Sequence, residues 1–193
     1  MRIISGRFKG LSFGNKIFEE TRPTTDRMRE SIFNALSHYI NFEDDNIEVL
    51  DMCAGTGALG FEAISRGAKR CIFVENQLHI AQEIRHSAQS LGISQNQSPI
   101  AVQDALTFFN GFFLKQLPDY VPVYWNCIFC DPPYIARILN KILHEIEKTN
   151  SLCPQGILIA EHDIIEHILL PKGFSTLTSL TFGKTIVDII QKD

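Results

Sequence analysis

From Ile47 to Glu161 the chain repeats one pattern: a short apolar run, an acid at its end, then a segment of helical period. Ile47–Met52 carries Asp51, Arg70–Glu75 ends on Glu75, Ile100–Gln103 runs into Asp104, and Tyr124–Cys130 runs into Asp131. Gly156–Glu161 closes a fifth run on Glu161. The intervening segments Ala58–Arg66, 77–91, Ala105–Leu117 and Ile138–Lys148 read as helices, with stripes such as Ile80, Ile84, Ala88 and Leu91. Apolar strands alternating with helices of this length imply an α/β fold, a parallel sheet with helices on both faces. Phe174–Phe182 and Lys184–Ile190, joined at Gly183, predict a closing hairpin. The expectation is a mostly parallel seven-stranded sheet with one antiparallel strand. No repeat, low-complexity run or linker marks off a further globular domain.

Open α/β sheets bind ligands at the carboxyl ends of their strands. Charged groups there lie against the core and need partners, so four acids in succession mark a site. The first, Asp51, precedes Ala54-Gly-Thr-Gly-Ala-Leu-Gly60, a G-x-G-x-x-G loop between a strand and a helix. Its glycines let a ligand lie against bare backbone. Dinucleotides set a pyrophosphate on the following helix N-terminus. S-adenosylmethionine instead brings a zwitterionic amino-acid end. A carboxylate four residues before the first glycine repels pyrophosphate and attracts ammonium, so Asp51 favours S-adenosylmethionine over NAD. Glu75 suits ribose hydroxyls with either ligand. Asp104 suits the exocyclic amine of adenine.

Asp131-Pro-Pro-Tyr134 offers acceptors on a rigid frame, because two prolines fix φ and remove backbone donors. A carboxylate and the Pro132 carbonyl suit the two hydrogens of a nucleobase amine, and the Tyr134 ring suits stacking, with its hydroxyl dispensable.

The charge is uneven. Residues 1–29 hold seven bases and three acids, net +4, in a chain of formal net charge −4. Residues 1–23, with extended stretches punctuated by Gly6, Gly10 and Gly14, read as a basic hairpin or arm preceding a 24–193 domain. Pro23-Thr-Thr-Asp26 starts a helix over about 24–41, whose stripe is Met28, Ile32, Leu36 and Ile40. Arg27, Arg29 and Asn34 fall off that stripe and are expected to face outward. Arg2, Arg7, Lys9, Arg22, Arg27 and Arg29 are the expected RNA-binding face.

These motifs are similar to those of the class I amino-group methyltransferases of nucleic acids. Met1-Arg-Ile-Ile-Ser-Gly-Arg-Phe-Lys-Gly10, Arg22-Pro-Thr-Thr-Asp-Arg-Met-Arg-Glu30, Phe33-Asn34, Ala54–Gly60, Ser65-Arg-Gly67 and Asp131-Pro-Pro133 resemble the RsmD family more closely. That family comprises bacterial 16S rRNA guanine-N2 methyltransferases, and the resemblance runs from Met1 to the final hairpin. It implies a Rossmann-like class I domain, S-adenosyl-L-methionine as cofactor, and 16S rRNA in the small subunit or a late assembly intermediate as partner. It implies cofactor roles for Asp51, Glu75 and Asp104 and catalysis at Asp131; with the motifs around them, the expected cofactor residues are Asp51, Ala54, Gly55, Gly57, Glu75, Asp104 and Ala105, and the expected catalytic residues Asp131, Pro132, Pro133 and Tyr134. Three positions depart from the family: Cys53 and Tyr134 stand where Phe is frequent, and Gln103 where Gly is frequent.

Other readings remain open at this level: a DNA adenine-N6 methyltransferase, a catalytically silent RNA-binding assembly factor, and an NAD-dependent oxidoreductase. Cys127-x-x-Cys130 lies inside a strand, where residues three apart face opposite sides, so the pair reads as buried thiols. The six histidines show no metal-ligand spacing. No apolar run approaches the ~18 residues of a membrane span, and no secretory core follows Met1-Arg-Ile-Ile4. A cytoplasmic protein is expected.

Overall fold

A computed structural model describes residues 1–14, 25–109 and 124–193. Arg22 and the Asn110–Leu117 end of the expected fourth helix lie outside these residues. Seven strands form one sheet: β1 (Glu48–Met52), β2 (Arg70–Glu75), β3 (Ile100–Val102), β4 (Trp125–Cys130), β5 (Leu152–Asp163), β6 (Phe174–Phe182) and β7 (Thr185–Lys192). The helices are α1 (Asp26–Leu36), α2 (Ala58–Ser65), α3 (Leu78–Ser90), α4 (Ala105–Phe108) and α5 (Leu139–Thr149). The strand order is β3-β2-β1-β4-β5-β7-β6. β1 to β5 pair in parallel, and β7 alone runs antiparallel to its neighbours β5 and β6. This is the expected seven-stranded, Rossmann-like sheet.

Successive strand residues alternate between the two faces. Val49, Phe73, Cys127 and Phe129 pack with Phe33, Phe61 and Ile84 from α1, α2 and α3. Leu50, Ile72, Ile128 and Cys130 pack with Phe108, Leu143 and Ile146 from α4 and α5. Cys127 and Cys130 therefore lie on opposite faces, both buried, and all five cysteines are free. No helix among the described residues is long and apolar enough to cross a membrane.

α1 is shorter than the apolar stripe predicts. Thr25 caps it by accepting from the Met28 N–H, and it stops at Leu36. Beyond it the Ser37 hydroxyl donates to the Asn34 carbonyl at 2.7 Å, a local bond that competes with continued helix. Ile40 still packs against the core from the turn that follows.

Arg29 does not face outward. It is 0% exposed and donates to the Arg2 carbonyl at 2.6 Å and to Asp26 at 2.9 Å. It was expected to contact RNA because helical period alone placed it off the stripe. The N-terminal segment packs over that side of α1 and removes it from solvent.

The described part of that segment, residues 1–14, is a docked hairpin. It has a single Arg2–Ser12 bridge, and Ile3 and Phe13 enter the core. Gly6 lies so close to α2 that a Cβ would fall 1.9 Å from the Ser65 carbonyl oxygen, at a φ of +79°. Glu62 on α2 anchors it: its carboxylate, 0% exposed, accepts from the Ile4 N–H at 2.8 Å and the Ser5 N–H at 2.9 Å. Arg66 donates to the same group at 2.9 Å, and Arg29 Nε lies 3.8 Å away. The boundary expected between residues 23 and 24 lies outside the described residues.

Removing one member of a buried charge cluster leaves the others uncompensated. Glu62→Ala is expected to lower the unfolding free energy by about 3 kcal/mol in urea titration. Arg66→Ala, whose partner keeps its other donors, is expected to cost about 1 kcal/mol or less.

Candidate active site

The strand order gathers the ends of β3, β2, β1, β4 and β5, with the start of β7, along one edge of the sheet. A cavity of about 680 Å³ opens there. Its walls include Asp51, Ala54, Gly55, Glu75, Asp104, Ala105 and the whole of Asp131–Tyr134. The expected cofactor and catalytic residues thus meet in one cavity, with one exception. Gly57 is not in the wall. At φ +73° it turns the chain into α2, and its N–H donates to the Ala54 carbonyl at 2.7 Å.

Two carboxylates hold the glycine loop. Asp51 accepts from the Gly60 N–H at 3.0 Å. Glu75 accepts from the Gly55 N–H at 3.0 Å and, through its other oxygen, from Gln77 N–H at 2.8 Å. Gly60 also lets α2 close on β2: a Cβ there would meet the Phe73 ring at 2.4 Å. Asp104 caps α4, its Oδ1 accepting from Leu106 N–H at 2.9 Å and Thr107 N–H at 3.3 Å.

The far wall holds contacts that the sequence did not announce. Tyr134 Oη donates to Glu161 Oε1 at 2.9 Å and lies 2.9 Å from Thr185 Oγ1. The hydroxyl that seemed dispensable therefore ties the Asp-Pro-Pro-Tyr loop to β5 and β7. Glu161, Phe182 and Thr185 all line the cavity. Glu161 had the same strand-end signal as the other acids. Thr185 had none, because its place depends on how the closing hairpin registers with β5. His162 is also buried, with Nε2 3.2 Å from Asp188, and is not a surface group.

Five carboxylates line the cavity: Asp51, Glu75, Asp104, Asp131 and Glu161. Among the described residues no Lys, Arg or His does so. Burial, helped by the charge of Glu75 and opposed by the Gly60 N–H, raises Asp51 from 3.8 to about 8. Burial and the surrounding carboxylates push the Cys53 thiol up to about 12.

The basic residues lie elsewhere. Arg2, Arg7, Lys9 and Arg27 are exposed, and Arg2 pairs with Asp26 at 2.8 Å. Thr25 and Met28, on either side of Arg27 in sequence, reach the cavity wall.

Comparison with known proteins places this geometry. The family described as "Conserved hypothetical protein 95" matches residues 1–191. "Ribosomal RNA small subunit methyltransferase D" of Haemophilus influenzae is 32% identical, covering 95% of this chain and 89% of that protein. The protein of the same name from Escherichia coli K12 is 28% identical, covering 100% and 90%. The chain belongs to the RsmD family. The solved structure of yhhF from Escherichia coli superposes with a TM-score of 0.83 at 24% identity, covering 100% of this chain and 98% of that one. The class I methyltransferase fold expected from the sequence is the fold observed.

The RsmD-family cavity fits S-adenosylmethionine on its own chemistry. A wall of carboxylates without a base disfavours a pyrophosphate and favours a ligand carrying a sulfonium and an ammonium. Gln103 Oε1, beside Asp104, is a buried acceptor without a partner among the described residues. An adenine amine supplies the donors it lacks. Asp51, Gly55 and Glu75 would hold the amino-acid and ribose parts.

The raised Asp51 sets a pH dependence. A carboxyl whose folded value lies above its unfolded 3.8 contributes stability that is complete below that value and is lost as pH rises through about 8. Asp51→Asn, which still offers an acceptor to Gly60, is expected to match wild type near pH 4 and to exceed it in thermal midpoint at pH 8. Pairing with the ligand's ammonium favours the charged form of Asp51. Cofactor binding at pH 7 is then expected to release a proton, seen in calorimetry as a dependence on buffer ionisation enthalpy that Asp51→Asn abolishes.

Proposed function

We propose that this protein transfers the methyl group of S-adenosyl-L-methionine to the exocyclic N2 amine of a guanine in 16S rRNA, on the small ribosomal subunit or a late assembly intermediate. One observation carries the reading: the glycine-loop side and Asp131–Tyr134 share a single cavity, so donor and amine can meet without water between them. The names of the relatives support rRNA as the substrate class. A cytoplasmic location follows from that substrate.

The cofactor supplies an electrophilic methyl group. The chain's task is to present the amine. In guanine the N2 lone pair is delocalised into the ring. Asp131 accepts one amine hydrogen and the Pro132 carbonyl the other, which favours a pyramidal nitrogen with its lone pair free. The Tyr134 ring stacks on the base, which is flipped from its helix. Catalysis on this account is positioning and electrostatics. The exposed Arg2, Arg7, Lys9 and Arg27 hold phosphates outside the acidic cavity. Arg22 is assigned to the same face from the sequence alone.

The test is methyl transfer from labelled cofactor to small subunits from a strain lacking the enzyme, to free rRNA and to naked DNA, followed by nucleoside analysis. N2-methylguanosine from subunits is the expected product. Label in DNA as N6-methyladenine, or none anywhere, overturns the reading. Asp131→Ala is expected to slow transfer at least about 10²-fold, comparable with losing one preorganised contact, while S-adenosylhomocysteine affinity stays within about twofold.

A second measurement addresses the basic face. An Arg2/Arg7/Lys9→Ala variant is expected to keep cofactor affinity and to bind RNA more weakly. Its salt slope should fall by about 0.7–0.9 log unit per lost phosphate contact. Wild-type methylation of subunits by this variant would show that the hairpin only holds the fold together.

A further inference from the structure

We infer that Glu161 is the specificity-determining residue that selects guanine, by accepting the N1–H of the target base; this rests on the guanine-N2 reading above.

The register places it. Cys130, the last residue of β4, pairs with Ala160 of β5, so Asp131 and Glu161 each follow directly on a paired residue. Both line the cavity, on the side of β1 away from Glu75 and Asp104. Guanine carries its N1–H and its N2 amine next to each other on one edge, and both are donors. Two acceptors in one cavity wall, one just past β4 and one on β5, complement that edge. Adenine presents an acceptor at N1, which a carboxylate repels. A site built to accept a particular hydrogen discriminates strongly against a substrate that lacks it.

Glu161 is also held for such a task. It is 8% exposed, and a carboxylate so far from water persists only with hydrogen-bond donors. Tyr134 has one hydroxyl hydrogen and gives it to Glu161, so the hydroxyl of Thr185 donates in turn to Tyr134. The Thr185–Tyr134–Glu161 relay fixes the carboxylate relative to the Asp131 loop. Tyr134 bonds Oε1, and a carboxylate offers about four lone-pair sites, so it can accept from more than one donor at a time.

The experiment separates reading the base from anchoring Tyr134. Glu161→Gln keeps the side chain's size and an acceptor for Tyr134, but turns an amide N–H toward the base. Small subunits are reconstituted with rRNA carrying either guanine or 2-aminopurine at the position that wild type modifies. The 2-aminopurine base keeps the exocyclic amine and has an acceptor at N1. Wild type is expected to prefer guanine at least 100-fold in kcat/KM. Glu161→Gln is expected to lower that preference at least tenfold, with S-adenosylhomocysteine affinity within twofold of wild type. Tyr134→Phe, which loosens the relay but keeps the carboxylate, is expected to lower the preference by less than Glu161→Gln does.

If Glu161→Gln lowers the thermal midpoint markedly, Glu161→Asp replaces it. This shortens the reach by one methylene and is expected to lower the preference at least fivefold. An unchanged preference in a folded Glu161 variant overturns the assignment while leaving the guanine reading in place. A wild-type product other than N2-methylguanosine overturns both.

Discussion

The cavity depends on two hydrogen bonds that strand carboxylates accept from the glycine loop: Asp51 from the Gly60 N–H and Glu75 from the Gly55 N–H. A loop with Gly55 and Gly57 at positive φ has many conformations open to it. The two carboxylates select one of them, tying the loop at both ends to adjacent strands. The same bonds offset part of the cost of keeping acids beside the core. The floor of the site is thus built from the groups that give it its charge. Asp51 shows the remaining tension: with one N–H donor and Glu75 nearby, burial still lifts it to about 8.

A second buried acid, Glu62, does for the outer layer what Asp51 does for the loop. It joins residues 1–14 to α2 and lies within reach of Arg29 on α1. Without it, the Ile4 and Ser5 N–H groups would have no acceptor beneath the hairpin. This linkage makes the N-terminal segment part of the body. It also holds the exposed cations of the hairpin near the first turn of α1, which reaches the cavity wall at Thr25 and Met28. Among the described residues the charges are thus separated, with carboxylates inside the cavity and cationic side chains outside it. That arrangement suits a cationic cofactor within and a polyanionic substrate around the rim.

Tyr134 shows how one atom changes a local role. Its hydroxyl, which a Phe at this position would lack, reaches Glu161 and Thr185 on two further strands. Burial, with the neighbouring carboxylates, raises its pKa above the ordinary tyrosine value, so the group stays a neutral donor. The ring is thus fixed at its far end, beyond a backbone that follows two prolines.

The sequence by itself determined the sheet, the order of acids at its edge, the glycine loop and the Asp-Pro-Pro-Tyr turn. Period and local turn chemistry act over a few residues and survive any packing. The alternation of Val49 and Leu50, or the opposite faces of Cys127 and Cys130, needs no tertiary knowledge. Only the tertiary structure decided that Arg29 is buried, that Glu62 and not a surface charge holds the hairpin, and that Tyr134 meets Glu161 and Thr185. Each of these joins residues separated by 27 or more positions, apart from Arg29's bond to Asp26. Helical period tells which way a side chain leaves its own helix, but not what distant chain will cover it. Whether a charge there is solvated or buried is settled by that covering, and so by the fold.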